Sequence, residues 1–303
     1  MVEGGITMKR KKITAFDIIA VIMLLIMAIV MLFPFLNSLA VSLNDANDTA
    51  RGGLTIYPRK FTLSNFKIIF DNSNLYSAFG ITLLRTVIGT VTSLICTAML
   101  AYGLSKNYLK GRKIYMTMSL VTMYFNGGLI PSYLLIKTIG LTNKFGVYII
   151  PYLINVFNMI IIMTYFKSIH PSIEESATID GAGQFTIFCK IILPLSKPVL
   201  AVIAMYNAVF HWNSWFDASI YITTKESLKP LQSILVGIIN STKFAEAIAN
   251  SGAGASQLNA LKIVNIRSIT AATMIVTIVP IALIYPFFQR YFIQGIMIGS
   301  VKG

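Results

Sequence analysis

The stretch KSIHPSIEESATIDGAGQFTIFCKIILPLSKP, residues 167–198, separates two long apolar blocks and is itself too polar to cross a membrane. Its local chemistry is that of a folded unit. Ser172 and Glu175 stand three apart, the spacing of a capping box in which the serine caps a helix start and the glutamate reaches back. Gly181 can turn the chain without a Cβ penalty. A second helix is expected over 184–193, stopped by Pro194, and Pro198 suits the first turn of the apolar helix that follows. The expectation is two short helices joined by a glycine turn and held rigidly against the apolar blocks.

Outward from this loop the chain is mostly apolar. Of 303 residues 55% are hydrophobic and 12% charged, roughly half the charged share of a soluble domain. Several apolar runs exceed the ~18 residues that favour a membrane span over a buried core helix. The fold class expected is an all-α polytopic membrane protein with six transmembrane helices, at about 18–40, 79–102, 116–135, 145–166, 199–222 and 270–292. Residues 1–15 form an N-terminal tail and 16–303 a single membrane domain. The first apolar stretch runs from Phe16 to about Leu43, longer than the about 7–15 residues of a cleavable signal core, so it reads as a retained span.

The basic residues orient the spans. Lys9–Lys12 precede span one, and Lys106, Lys110, Arg112 and Lys113 crowd the link between spans two and three. Lys167, Lys190 and Lys197 lie between spans four and five, and Arg290 and Lys302 follow span six. With six spans, all four segments share one side, the cytoplasm, so both termini are cytoplasmic. The opposite side carries 41–78 and 223–269, where the apolar run 231–239 is too short to cross and reads as a surface helix; the Gly, Ala and Ser of 251–256 read as a turn. The net charge of +14 follows from this flanking pattern; without an aromatic-interleaved basic patch, nucleic-acid binding is not indicated. Cys96 falls in a span and Cys189 in the loop, which leaves a disulfide between them implausible, and nothing resembles a metal-ligand cluster.

The loop resembles the signature of ABC importer permeases: E-A-A, three residues, G, nine residues, I-x-L-P. It matches as Glu175-Ser176-Ala177, Gly181, then Ile191 and Leu193-Pro194, with Ser176 for the first alanine as the departure. Asp180-Gly181-Ala182, the run His211-Trp-Asn-Ser-Trp-Phe-Asp217 and the ending from Tyr285 to Gly303 are similar to the carbohydrate-uptake (maltose-transporter-like) branch, most of all the second permease of oligosaccharide and pectin-fragment importers. The resemblance implies a type I ABC importer permease fold in the bacterial cytoplasmic membrane, surrounded by lipid. It implies a second, related permease, two ATPase subunits carrying ATP and Mg, and an extracellular solute-binding protein that delivers sugar. Glu174, Glu175, Ala177, Asp180, Gly181, Ile191 and Pro194 would couple the chain to the ATPases, and the tail after Phe292 would reach toward them. For single residues plainer roles stand beside this: Glu175 as a cap only, Asp180 paired with a lysine, Ile191 and Pro194 fixing the second helix. The chain has no G-x-x-x-x-G-K-[ST] phosphate loop, so it holds no such nucleotide site and is expected not to be an enzyme.

Intramembrane polar residues are expensive enough to suggest function. At 100° per residue Tyr206, Phe210, Asn213 and Asp217 share one face of span five, with Asn207 and His211 beside it. Asn155 and Asn158 in span four, and Tyr124 and Asn126 in span three, are further candidates for a sugar path; helix–helix hydrogen bonding is the alternative for all of them. Arg85 could snorkel, pair with Asp217, or meet an acidic sugar, with the first two preferred. The competing functional readings are an ABC permease for another small solute and an ion-coupled secondary transporter; the latter wants buried carboxylates, and the spans offer little besides Asp17 and Asp217.

Overall fold

The computed structural model describes residues 14–71, 73–250 and 267–286. Among them every regular element is helical, apart from an isolated antiparallel bridge between Asn44 and Phe61. The membrane-length elements are α1 (Ala15–Ser42), α2 (Ser73–Ser105), and, past several shorter ones, the helix Arg267–Pro286. Helix α1 opens on a capping box: Thr14 Oγ1 accepts from the Asp17 amide (3.3 Å) and Asp17 Oδ2 accepts from the Thr14 amide (2.8 Å). It is apolar all round and buries only Ala40–Ser42, with Asn37 Nδ2 donating to the Leu54 and Thr55 carbonyls (2.9 and 2.7 Å). Most of its remaining surface is bare, as expected of a helix whose surroundings are lipid or another subunit.

Three expected spans are not continuous helices. The third, expected over 116–135, is α3 (Arg112–Tyr124) and α4 (Leu129–Thr138), bent by 116°. Phe125 is extended and Gly128 sits at φ +88°, where L residues are disfavoured. Pro131 lies in the first turn of α4, where a missing N–H costs nothing. The fourth is a pair of tight 3₁₀ turns, Phe145–Tyr148 and Ile150–Tyr152, followed by α5 (Val156–Ser168) at 48°. After α6 (Pro171–Ile179) and α7 (Gln184–Leu195) comes the fifth, expected over 199–222. It is α8 (Lys197–Asn213), an extended Ser214, and α9 (Phe216–Tyr221). Among the described residues three helices are long and apolar enough to cross a membrane alone, or up to six if each bent pair counts as one. The third such pair is α7 with α8, at 83°, rather than α8 with α9. The expected surface helix is longer than its apolar run: α10 covers Leu231–Asn250. Helix α11 is Arg267–Pro286; the turn at 251–256, residues 287–292 of the sixth span, the basic residues at 9–12, 290 and 302, and the tail after Phe292 lie outside the described residues.

A shared core holds the polar loop against the spans. Ala98, Ala101 and Leu104 of α2 and Met159, Ile162 and Phe166 of α5 pack with Ala177 of α6, Ile187, Phe188 and Ile192 of α7, and Ile203 of α8. The loop helices therefore bury apolar side chains in the same core as the spans. Two smaller cores, one with Ile69, Ala78, Leu231 and Ala272 and one with Ile136, Tyr148, Ala218 and Ile222, pin the other end of the molecule.

Candidate functional site

The loop forms the two helices and glycine turn expected of it, with one correction at its start. Ser172 is not the cap. His170 caps α6, its Nδ1 accepting from the Ser172 amide at 3.3 Å, and Pro171 takes the first helical position. Proline's fixed φ favours that position, which moves the helix start two residues ahead of the serine. Glu175 is then inside the helix, exposed, rather than part of a capping box. At the far end Gly181 (φ +82°) closes a Schellman turn: its amide donates to Thr178 O (3.0 Å) and that of Ala182 to Ala177 O (2.9 Å). Helix α7 includes a π turn at Phe188–Ile192 and runs to Leu195, past Pro194; Ser196 ends it. Proline lies within its last turn rather than stopping it.

The loop is tied to the C-terminal end of α2. Lys106 pairs with Glu174 and lies 4.0 Å over the Tyr102 ring, and the hydroxyls of Tyr102 and Tyr108 both donate to Gln184 Oε1 at 3.1 Å. Lys106, Arg112 and Lys167 thereby line one groove of about 980 Å³ with Glu174 and Glu175, so two basic clusters far apart in sequence share one end of the molecule. Ala177 and Ile191 face the core, whereas Asp180 and Pro194 are exposed, and no ion pair of Asp180 with a lysine is found among the described residues. Ile179 and Phe185 project from the loop, 86% and 71% exposed. Tyr102 escaped the sequence reading, and Lys106 was read there only as a basic flank and Gln184 only as a helix start, because nothing local marks an anchor.

A second site lies between α2, α5 and α8. Asn155, Asn158, Tyr206, Asn207, Phe210 and His211 line one cavity of about 290 Å³ with Ser93 and Tyr152. Asn155 caps α5, its Oδ1 accepting from the Asn158 amide (3.0 Å). Asn158 Nδ2 donates to Asn207 Oδ1 (3.0 Å) and Asn207 Nδ2 to Ser93 Oγ (3.3 Å), a chain that satisfies buried amides. His211 is buried in a slot made by Gly89, where a Cβ would come within 2.4 Å of its Nε2. Tyr206 and Phe210 stay about half exposed.

The other candidates fall elsewhere. Tyr124 and Asn126 are exposed at the α3–α4 break, where Asn126 Oδ1 takes the Gly128 amide (2.8 Å). Asn213 is exposed on α8, facing Gln232 (3.4 Å). Asp217 does not share the face of Tyr206 and Phe210, nor is it solvated: it sits on α9, buried, because the break at Ser214 resets the helical phase. Arg85 meets it there. Its Nη2 lies 2.5 Å from Asp217 Oδ2, Nη1 donates to Oδ1 (3.3 Å) and to Ser214 O (3.1 Å), and the guanidinium stands 4.2 Å over the Tyr148 ring. The helix break frees a carbonyl that apolar surroundings cannot satisfy, and Arg85 satisfies it. Trp212 is buried and donates to Thr277 O (3.0 Å), so it packs α8 on α11.

Comparison with known proteins follows the same lines. No family model matches the chain. It is 35% identical over 290 residues, 95% of this chain and 98% of the relative, to the polygalacturonan/rhamnogalacturonan transport system permease protein YtcP of Bacillus subtilis. It is 36% identical to Protein LplC of the same organism across 95% of each chain. It is 28% identical to the arabinooligosaccharides transport system permease protein AraQ of Halalkalibacterium halodurans, across 98% of this chain and all of that one. A chain in the crystal structure of a bacterial ABC transporter involved in the import of the acidic polysaccharide alginate superposes with a TM-score of 0.80 at 30% identity, covering 91% of this chain and 96% of that one. With that identity across nearly the whole length, and with the same fold, this chain belongs to the carbohydrate permeases of ABC transporters.

Proposed function

We propose that this integral membrane subunit moves an oligosaccharide into the cell by alternating access, driven by separate ATPase subunits that bind ATP and Mg. The observation that carries the coupling half is the loop of α6 and α7, which buries its inner face in the core of three span elements and leaves Ile179, Asp180 and Phe185 outside. A knob packed this way transmits displacement to the spans, which a solvated linker would not. Glu174, Glu175, Ala177, Asp180, Gly181, Ile191 and Pro194 belong to that unit, Glu174 through its tie to Lys106. On this reading the basic end is cytoplasmic, as the positive-inside rule favours, and both termini share that side, in a multi-pass protein of the bacterial cytoplasmic membrane with six spans. A second, related permease, two ATPases and an extracellular binding protein complete the importer; a chain at 17% identity and TM-score 0.53 comes from a structure whose alginate ABC transporter holds a pentasaccharide-bound periplasmic protein.

The pairing of Asp217 with Arg85 weakens the ion-coupled alternative, since that carboxylate already has its counter-ion. The test is uptake into proteoliposomes. Sugar is expected to accumulate only with the co-purified ATPases, ATP and the binding protein; accumulation by this chain alone under an ion gradient would sink the reading.

A further inference from the structure

The cavity between α2, α5 and α8 has a chemical character of its own. None of the residues that line it is Lys, Arg, Asp or Glu. Its polar wall is three amides and a serine hydroxyl. The Oδ1 of Asn155 is held by a backbone amide and the Asn158–Asn207–Ser93 chain is internally bonded, which fixes the directions in which the remaining amide groups point. Its apolar wall is aromatic. Tyr152 meets Phe210 edge-on (centroids 5.0 Å) and His211 edge-on (6.1 Å), and Phe210 meets His211 at 5.3 Å. His211, almost fully buried, carries an Nδ1 without a partner among the described residues. At about 290 Å³ the space lies at the lower edge of small-molecule pockets.

A pyranose or furanose ring has hydroxyls that both donate and accept, and a flat C–H face that packs on aromatic surface. Amides on one wall and rings on the other match both properties. A carboxylate brought to this wall would lose its water without gaining a cation. The guanidinium nearby is turned elsewhere: Arg85 is fully buried, its two terminal nitrogens hold both Asp217 oxygens and the Ser214 carbonyl, its Nε has no partner among the described residues, and it does not line the cavity.

We infer that this cavity is a subsite for a single uncharged glycosyl ring, so that any acid group on the transported chain is recognised by the partner permease or the binding protein and not by this subunit. The inference rests on the carbohydrate reading above and adds charge neutrality and a place.

The experiment uses the reconstituted importer with paired probes, neutral galacto- or arabino-oligosaccharides and oligogalacturonides of matched length. Phe210→Ala and Asn155→Ala are expected to raise KM about tenfold for every sugar carried, with co-purification of the partner permease and ATPases unchanged. Asn155→Asp is expected to affect neutral and acidic sugars by the same factor as Asn155→Ala. An unchanged KM in an importer that still carries sugar would overturn the subsite alone. So would loss of the partner permease from the complex, which would assign the cavity to subunit packing. A selective loss of acidic sugars, above tenfold, in Asn155→Asp or His211→Gln would show that charge is read here. Failure of the wild type to move any sugar would overturn the carbohydrate reading itself.

Discussion

Asp217→Leu is expected to be among the most damaging single substitutions in the spans, and its cost follows from the geometry of its partner. Arg85 and Asp217 are 0% and 1% exposed at their side chains. The guanidinium makes two contacts to the carboxylate and one to the Ser214 carbonyl. Removing one member of a buried ion pair leaves an uncompensated charge, which costs about 3–5 kcal/mol. Arg85→Met should cost as much, since it strands Asp217 with the Ala218 amide (2.8 Å) as its other donor and frees the Ser214 carbonyl. The double variant removes both charges and should retain the losses of the Ser214 carbonyl's donor and the Ala218 amide's acceptor, about 1–3 kcal/mol each. Each of these losses is also carried by one single variant, so both cancel from the coupling. A cycle of wild type, both singles and the double, read by equilibrium unfolding of the purified importer in mixed micelles, is therefore expected to give a coupling energy of at least about 3 kcal/mol. Additivity within about 0.5 kcal/mol, or a single-variant cost below about 1 kcal/mol, which is the range of a solvated pair, would refute the reasoning.

Other substitutions test the remaining contacts. Gly89→Ala puts a Cβ 2.4 Å from His211 Nε2 and 2.7 Å from Cδ2; overpacking of this kind costs about 1–3 kcal/mol, and a thermal melt of the complex should fall in the single variant and recover in Gly89→Ala/His211→Ala. Gly181→Ala meets no atom within 4 Å, so its cost is that of the φ of +82° alone, about 1–2 kcal/mol; amide exchange across 171–195 should speed up by about 5–30-fold, and an unchanged rate would remove the turn's role. In the outer segment Asp48 has a lowered pKa, because Asn44 Nδ2 donates to it (3.0 Å) and Arg59 pairs with it (2.9 Å), against an opposing effect of burial. A depressed carboxylate stabilises the fold above its unfolded value of about 3.9 and loses that contribution as pH falls through the lower folded value. Protection of 44–62 should hold at neutral pH and decline below about pH 4, and Asp48→Asn should flatten the dependence.

What could be read from the sequence was what is local. The glycine turn at 181 and the helices on either side of it follow from residues within a few positions of one another. The cap was misplaced because His170 is an uncommon cap and Pro171 outweighs Ser172 in setting the start. Apolarity located the apolar blocks, three of which are single membrane-length helices among the described residues, but hydropathy is blind to helix continuity, so the breaks at 125–128 and at Ser214 went unseen. That blindness also misplaced Asp217: 100° per residue holds only within an unbroken helix. The cavity was half visible. Asn155, Asn158, Asn207 and His211 stood out as polar residues in apolar blocks, whereas Ser93 is 114 positions from the Asn207 it bonds, a pairing that only the folded chain reveals. Arg85 and Asp217, 132 apart, could be named as one pairing among several; their burial decided it.

The coupling role of the 167–198 loop is open to a direct measurement. With Cys96 and Cys189 replaced by Ala, a cysteine at Ile179, 86% exposed on the loop, can be compared with one at Tyr57, 79% exposed at the opposite end of the molecule. In the purified importer a maleimide–benzophenone photocrosslinker, which needs a thiol on this chain alone, is expected to join Ile179→Cys to an ATPase subunit, with a yield that changes on adding ATP, and to join Tyr57→Cys to none. An ATPase adduct from Tyr57→Cys with none from Ile179→Cys would contradict both the loop's role and the orientation of the chain.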